Sequence, residues 1–450
     1  MDVKWFKDRV VAVDVLSALF GIASWVAING LWVQLPLLVQ ALPEGWSLPS
    51  YLSIIIQIAN IGPLSYGLLS RMWPHVVTPV RATWVTLTVG VAASVLMPIF
   101  WRETAVVFGE ERSIALLALT LALSLVDCTS SVLFLPYIGL FKGIYLPSLM
   151  LGEGLSAFLP SIVATIQGVG KSTCVNSTDP NWPGLVEELT PPLFSTEIFF
   201  VTLAVMMGIA TAAFCGLEYL PVCEQERLKE KEKEDQKQSY AVLEGPLHNK
   251  TTLVQILLMQ FWLCLLSNGL MVGLQSYSAM PYGSQAYHYA AILFNVANPL
   301  SCLFALYKAC LSLRGIFSLL VGSSLLSAYL LWTAATSPTP PLVEHVAGAV
   351  IVVLVWFLYA GVANYAKVSA ACVLRQNCWE RHEQVQQDNG SMREDSLEGS
   401  IMVSTRVRTP AEERLFYFGV ATQVGSLVGS VIAFVLVNIL KLFVAKYPCQ

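Results

Sequence analysis

The sequence predicts an all-α polytopic membrane protein with about eleven transmembrane helices in a six-plus-five arrangement. Three observations predict it. Apolar residues make up 55% of the 450 positions and charged residues only 12%, about half the charged share of an ordinary soluble domain. The charges gather in clusters between long apolar runs. Eleven such runs occur, each close to the roughly 20 residues that cross a hydrocarbon core of about 30 Å as a helix.

The first run, 10–39, is too long for the apolar stretch of a signal peptide and holds Asn29, Trp32 and Pro36, so it reads as a retained span. Trp25, Asn29 and Trp32 fall at i, i+4 and i+7, on one helix face. Gly30 removes bulk beside them, and Pro36 frees a backbone carbonyl a turn further on. An amide between two indoles suits a flat heteroaromatic ligand. The alternative makes the two Trp interfacial anchors and Asn29 interhelical glue. Asn29 lies deeper than an interfacial belt, which favours the ligand reading.

Run two, 48–70, places Gln57 and Asn60 at i, i+3, and run three is 82–101. Run four, 113–138, carries Asp127, Thr129, Ser130 and Ser131 in LVDCTSSVLFLP. The hydroxyls can simply bond back to their own helix, whereas an unpaired carboxylate there would cost several kcal/mol. Run five, 146–169, sets Glu153 between Gly152 and Gly154 and later carries Gln167; run six is 194–220. Run seven, 252–274, holds Asn268, with Gln275 seven residues on. Run eight, 285–307, has Tyr287, His288, Asn295 and Asn298; run nine is 315–336; run ten, 346–372, ends near Tyr365 and Lys367; run eleven is 413–440. A lone His or Lys near a span end more often snorkels than binds, yet intramembrane ionisable groups are candidates for function by default. Amides and carboxylates in at least five spans point to a polar, aromatic, nearly neutral solute.

Most of the 26 Lys and Arg fall in alternate connections, and the positive-inside rule puts those connections, with the amino terminus, in the cytoplasm. An odd span count leaves the carboxyl terminus outside. The 221–250 connection, with its core EQERLKEKEKEDQKQ, separates an amino-terminal six-helix bundle, 1–220, from a five-helix bundle, 251–450. Its alternating charges suit either a solvated helix continuing from span six or a flexible linker. The polar stretch 376–411 reads as a disordered cytoplasmic loop. Of three N-glycosylation sequons, at Asn176, Asn249 and Asn389, only Asn176 lies in an outer loop, so only it is expected to carry glycan.

Several classes are excluded. With a net charge of -4 and no basic stripe, nucleic acid is no partner. There is no GxSxG, HExxH or Walker A loop, so neither hydrolysis nor ATP-driven pumping is expected. The ten cysteines show no CxxC and no metal-ligand spacing, and Cys128, Cys215, Cys264, Cys302 and Cys372 read as small buried residues. No cofactor is expected, and the oligomeric state is not legible. A heteroaromatic-solute transporter is the leading reading; a signal-relaying membrane receptor is the rival of another class, disfavoured by the polar midplane.

The strings NGLWVQLPLLV, LPEGWSLPSYL, DCTSSVLFLP, GEGLSAFLPS, QSYSAMPYGSQAYH, ANPL and QVGSLVGS closely resemble the animal riboflavin transporter family, from the first span to the last. The resemblance implies riboflavin uptake across the plasma membrane through an eleven-span fold similar to equilibrative nucleoside transporters and the major facilitator architecture. A nucleoside or another neutral heteroaromatic is the alternative substrate. Riboflavin also suits the residues independently. Its ring system needs stacking surfaces such as Trp25 and Trp32, and its pyrimidine edge pairs with amides such as Asn29, Gln57 or Asn60. One departure stands out: the family's first-span motif usually has Glu where this chain has Gln34. Gln34 cannot titrate, so at most modest pH dependence is expected, arising at Asp127 or Glu153. Two cysteines expected near Ala279 and Thr339 are absent, leaving Cys174 and Cys449 on the outer side.

Overall fold

The computed structural model describes residues 9–45, 48–107, 109–168, 172–176, 185–189, 191–227, 248–376 and 410–444. The helices are α1 (Val11–Gly21), α2 (Val26–Ala41), α3 (Leu48–Ile58), α4 (Ile61–Met72), α5 (Pro79–Phe100), α6 (Ile114–Ile138), α7 (Leu146–Gln167) and α8 (Thr196–Tyr219). After a short α9 (Pro221–Gln225) come α10 (His248–Cys264), α11 (Met271–Ala279), α12 (Ser284–Tyr307), α13 (Leu313–Ala335), α14 (Val346–Gln376) and α15 (Pro410–Phe434). Among the described residues, ten helical segments are long and apolar enough to cross a membrane, and the bent pair Val11–Ser24 and Val26–Ala41 makes an eleventh when read as one broken span. The expected all-α, eleven-span architecture is therefore present.

The first span is not one rod. It bends by 51° at Trp25, whose φ of −140° and ψ of 9° leave the helical region. Pro36, the residue expected to open the backbone, stays inside α2. Irregular backbone within a span is tolerated only where other groups satisfy it, and here three do. Ser24 Oγ donates to Gly21 O at 2.7 Å, Ser130 Oγ to Ser24 O at 3.3 Å, and Ile28 N–H to Asp127 Oδ2 at 3.3 Å. Ile28 is the third residue of α2, so Asp127 of α6 caps that helix from another span. The seventh span is irregular too: between α10 and α11 lies a π-turn, Leu265–Leu270, a form that inserts an extra residue per turn and is frequent at functional sites.

Span six ends at Tyr219, and Leu220, extended ahead of Pro221, turns the chain. The helix does not run straight on into the charged connection. Glu226 and Arg227 dock back instead: Lys142 Nζ pairs with Glu226, and Arg227 with Glu218. Residues 228–247 and 377–409, which cover most of the charged linker and of the expected disordered loop, lie outside the described residues. Two β-hairpins not expected from the sequence, β1 (Ala105–Val107) with β2 (Glu110–Arg112) and β3 (Ser172–Asn176) with β4 (Leu185–Leu189), sit in the connections opposite the Arg9 end. Asn176 closes β3.

The helices before 220 meet those after 248 along two seams, α7 against α12 and α6 against α15. The seams are unequal along their height. One apolar cluster runs through the first six spans and, at the Arg9 end, continues across into Cys302, Ala305, Val368, Ala371, Leu374 and Phe416. The other two clusters hold only residues after 260. At the Arg9 end, buried Arg375 of α14 also donates to Phe141 O across the boundary. The Arg9 end is thus sealed.

Helix association in lipid depends on close packing and polar contacts more than on burying apolar area. Close approaches of this kind occur at glycines. A Cβ on Gly152 would lie 2.0 Å from Ala18 O, and one on Gly269 would lie 2.6 Å from the Gly429 backbone.

Candidate functional site

On α2, Val26, Ala27, Ile28, Gly30, Leu31, Gln34 and Leu38 are buried against α6, α7 and α8. Trp25, Asn29 and Pro36 are part-buried, as are Val33, Leu35 and Leu37, and Trp32 is exposed, as are Gln40 and Ala41 at the helix end. The i, i+4 spacing of Trp25 and Asn29 carries across the bend, since Asn29 N–H still donates to Trp25 O at 3.0 Å. Trp32 is 37% exposed. Asn29 Nδ2 makes a long contact, 3.5 Å, with Ser156 Oγ of α7.

Ser156 leads to Glu153. Its neighbours Gly152 and Gly154 lie about 100° to either side of it around the helix. Gly152 packs on Ala18 and Gly21 of α1, and Gly154 packs on Asn298 and Pro299 of α12. Glu153 therefore projects into the crevice between those two helices, half-buried. Across it, Lys367 of α14 acts electrostatically on Glu153 and donates to Asn268 Oδ1 at 2.8 Å. Asn268 stands in the π-turn and is exposed although it is mid-span. Further along, Gln275 of α11 is half-buried, and its Nε2 has no hydrogen-bond partner among the described residues.

Other predicted residues have partners of their own. Gln34 is fully buried on the far side of α2. Its Nε2 donates to Gln167 Oε1 at 2.5 Å, and Gln167 Nε2 donates to Phe194 O. This corrects the expectation of Gln34 as a substrate ligand: at five residues past Asn29 it lies well off that face. Asp127, also fully buried, is the cap of α2 and not a cavity wall. Ser131 accepts from Gln423 Nε2 at 2.8 Å on the α6–α15 seam. Asn295 Nδ2 donates to Ser161 Oγ at 2.8 Å on the α7–α12 seam. Asn298 O accepts from Asn364 Nδ2 at 3.0 Å. Gln57 and Asn60 bond to each other at the α3–α4 break. Tyr287 packs on the Trp356 cluster, and half-buried His288 has its ring against Tyr289.

Sequence reasoning missed Ser156, Ser161, Asn364 and Gln423. Serines are common in spans and carry little signal. Asn364 and Gln423, single amides in apolar helices, were findable by the rule that flagged Asn29. Among the described residues, no three His, Cys, Asp or Glu side chains are grouped to hold a metal ion.

The chain matches the family model described as solute carrier family 52, riboflavin transporter, over residues 9–384 and 400–445. It is 38% identical to riboflavin transporter member 3-A of Danio rerio, covering 97% of this chain and 98% of that protein. It is 35% identical to human member 1, covering 98% and 97%. In fold it is similar to the crystal structure of the human organic anion transporter MFSD10 (TETRAN), at 11% identity and a TM-score of 0.58, over 95% of this chain and 94% of that one. A family model spanning nearly all of the chain, with relatives above 30% identity end to end, means that this protein belongs to the solute carrier 52 family of riboflavin transporters.

Proposed function

We propose that this protein carries riboflavin into the cell across the plasma membrane by alternating access, with 1–220 and 251–450 as the two moving halves and 221–250 as their cytoplasmic link. The observation that carries this reading is the unequal seam, sealed by packed side chains and Arg375 at the Arg9 end and not joined by a shared apolar core at the other. With the amino terminus cytoplasmic, as the Lys and Arg distribution indicates, this is an outward-facing arrangement. In it, Trp25 and Trp32 offer faces for the flavin ring. Asn29, Asn268 and Gln275 offer amide edges, and the Glu153–Lys367 pair forms a polar floor of cancelling charge that suits a neutral solute. Family membership favours riboflavin over nucleosides.

The test is riboflavin uptake, with flavin-fluorescence quenching on the purified protein. Trp32→Ala and Asn29→Ala should each lower affinity by about 1–3 kcal/mol, roughly 5- to 150-fold, at normal surface expression. Unchanged uptake in both variants would reduce the stripe to packing. Quenching by nucleosides but not by flavin would replace the substrate.

A further inference from the structure

Asp127 does more than cap α2. Its Oδ2 accepts from Ile28 N–H, while Oδ1 has no hydrogen-bond partner among the described residues, although the side chain is fully buried. Two more fully buried oxygens on α6 share that condition, Thr120 Oγ1 and Ser124 Oγ. Positions 120, 124 and 127 stand at i, i+4 and i+7, on one face. Ser17 Oγ and Ser94 Oγ, on other helices, are in the same condition among the described residues; the three on α6 stand out because they share one face of one helix. Elsewhere, threonines within spans donate back to the carbonyl four residues earlier, as Thr86, Thr129, Thr202 and Thr211 do. Buried polar atoms without partners are rare and call for an explanation such as an ion, a water or a proton path.

The three groups extend along the helix for roughly 10 Å. Ligands strung out in a row do not make a cage around one cation; they suit a line of hydroxyls and water that passes protons to a carboxylate. The line points to the end opposite the sealed one. There, on the same face seven residues before Thr120, Ser113 gives both its N–H and its Oγ–H to Glu44, at 2.7 Å each. Titratable groups on the elements packed around α6 are Tyr51, Tyr66, Arg71 and Arg81, Glu153, and Glu412, Glu413, Arg414 and Tyr417 at the inner end of α15. The interaction the structure shows for the Asp127 carboxylate is the hydrogen bond from Ile28 N–H, and its own charge acts on the adjoining Cys128 thiol.

We propose that Asp127 is a proton-binding site at the break of the first span, reached from the outer side past Ser124 and Thr120. A proton from external water moves along the hydroxyls and water between them, each oxygen giving one proton and taking one, and forms an O–H bond at Asp127 Oδ1. The protonated carboxyl is a weaker cap for the positive end of α2 than the carboxylate. The helix that carries Trp25, Asn29 and Trp32 therefore senses the proton, without the proton entering the flavin site.

The inference rests on the transport reading for its coupling, and two measurements separate the two. In infrared difference spectra of the purified full-length protein, acidification should raise a protonated-carboxyl stretch that is missing in Asp127→Asn. In uptake assays, wild type should respond to external acidification by up to about fivefold, the lower range of site-to-site coupling. Asp127→Asn, which still offers Ile28 an acceptor, should run flat at the acid-side level. Ser124→Ala, with the carboxyl intact, should blunt the response; if Asp127→Asn does not reach the membrane, this variant and the wild-type spectrum decide. A carboxyl band and pH response that persist in Asp127→Asn, or that are both missing in wild type, overturn the proposal. A normal band with no riboflavin uptake at any pH would overturn the transport reading and leave the proton site standing.

Discussion

Asp127 and Glu153 are both carboxylates set deep in apolar helices, and their surroundings differ in kind. Asp127 is fully buried, and among the described residues its carboxylate bonds to a backbone N–H left free by the bend at Trp25. Glu153 stands between two close glycine contacts, to α1 and to α12, and faces Lys367 on a helix from the other side of the seam. An intramembrane carboxylate thus takes its role from what its neighbours leave unpaired. A broken helix asks for an acceptor and gets a cap. A carboxylate facing a lysine across the seam has a counter-charge from the other set of helices.

Four substitutions test that contrast. The largest effect belongs to Gly152→Val, which drives a side chain into the α1 backbone at Ala18. Folded protein at the cell surface should be lost, and normal expression with normal uptake would mean that close approach does not shape the Glu153 crevice. Next is Asp127→Leu, which leaves Ile28 N–H buried without an acceptor, a cost of about 1–3 kcal/mol. Its thermal unfolding should fall well below that of Asp127→Asn; equal losses would remove the capping role. Third, Glu153→Gln should lower riboflavin uptake about tenfold, some 1.4 kcal/mol, with little change in thermal stability. A stability loss with intact uptake would exchange the roles given to the two carboxylates. The smallest effect on transport belongs to Gln34→Glu. It places a carboxylate against Gln167 in an enclosed contact, so stability should fall while riboflavin affinity holds. A large affinity change at unchanged stability would return Gln34 to the cavity.

Helix periodicity located the Trp25–Asn29–Trp32 stripe, because a helical face depends only on residue spacing, and spacing survived the bend. The same arithmetic applied to Gln34 would have removed it from that face; the proline nearby and its place in the family motif drew attention instead. The π-turn that presents Asn268 could not be foreseen, since one inserted residue changes the face of everything after it while leaving hydropathy untouched. Ser131 and Asn295 are polar residues in spans whose side chains hydrogen-bond between helices, to Gln423 and Ser161, while Asn298 accepts from Asn364 through its backbone carbonyl.

By itself, the sequence determined the number of spans, their approximate limits, the clustering of charge in the connections and the family. These follow from sums over neighbouring residues, hydropathy above all, or from matching strings, and need no knowledge of what touches what. Only the tertiary structure decided where the first span bends, which carboxylate is enclosed, and that the seam is sealed at the Arg9 end. Each of these depends on groups far apart in the chain arriving together, such as Ile28 at Asp127, Glu153 before Lys367 and Arg375 at Phe141. A polar atom in a membrane span has no water to fall back on, so the partner that packing brings to it fixes what it does.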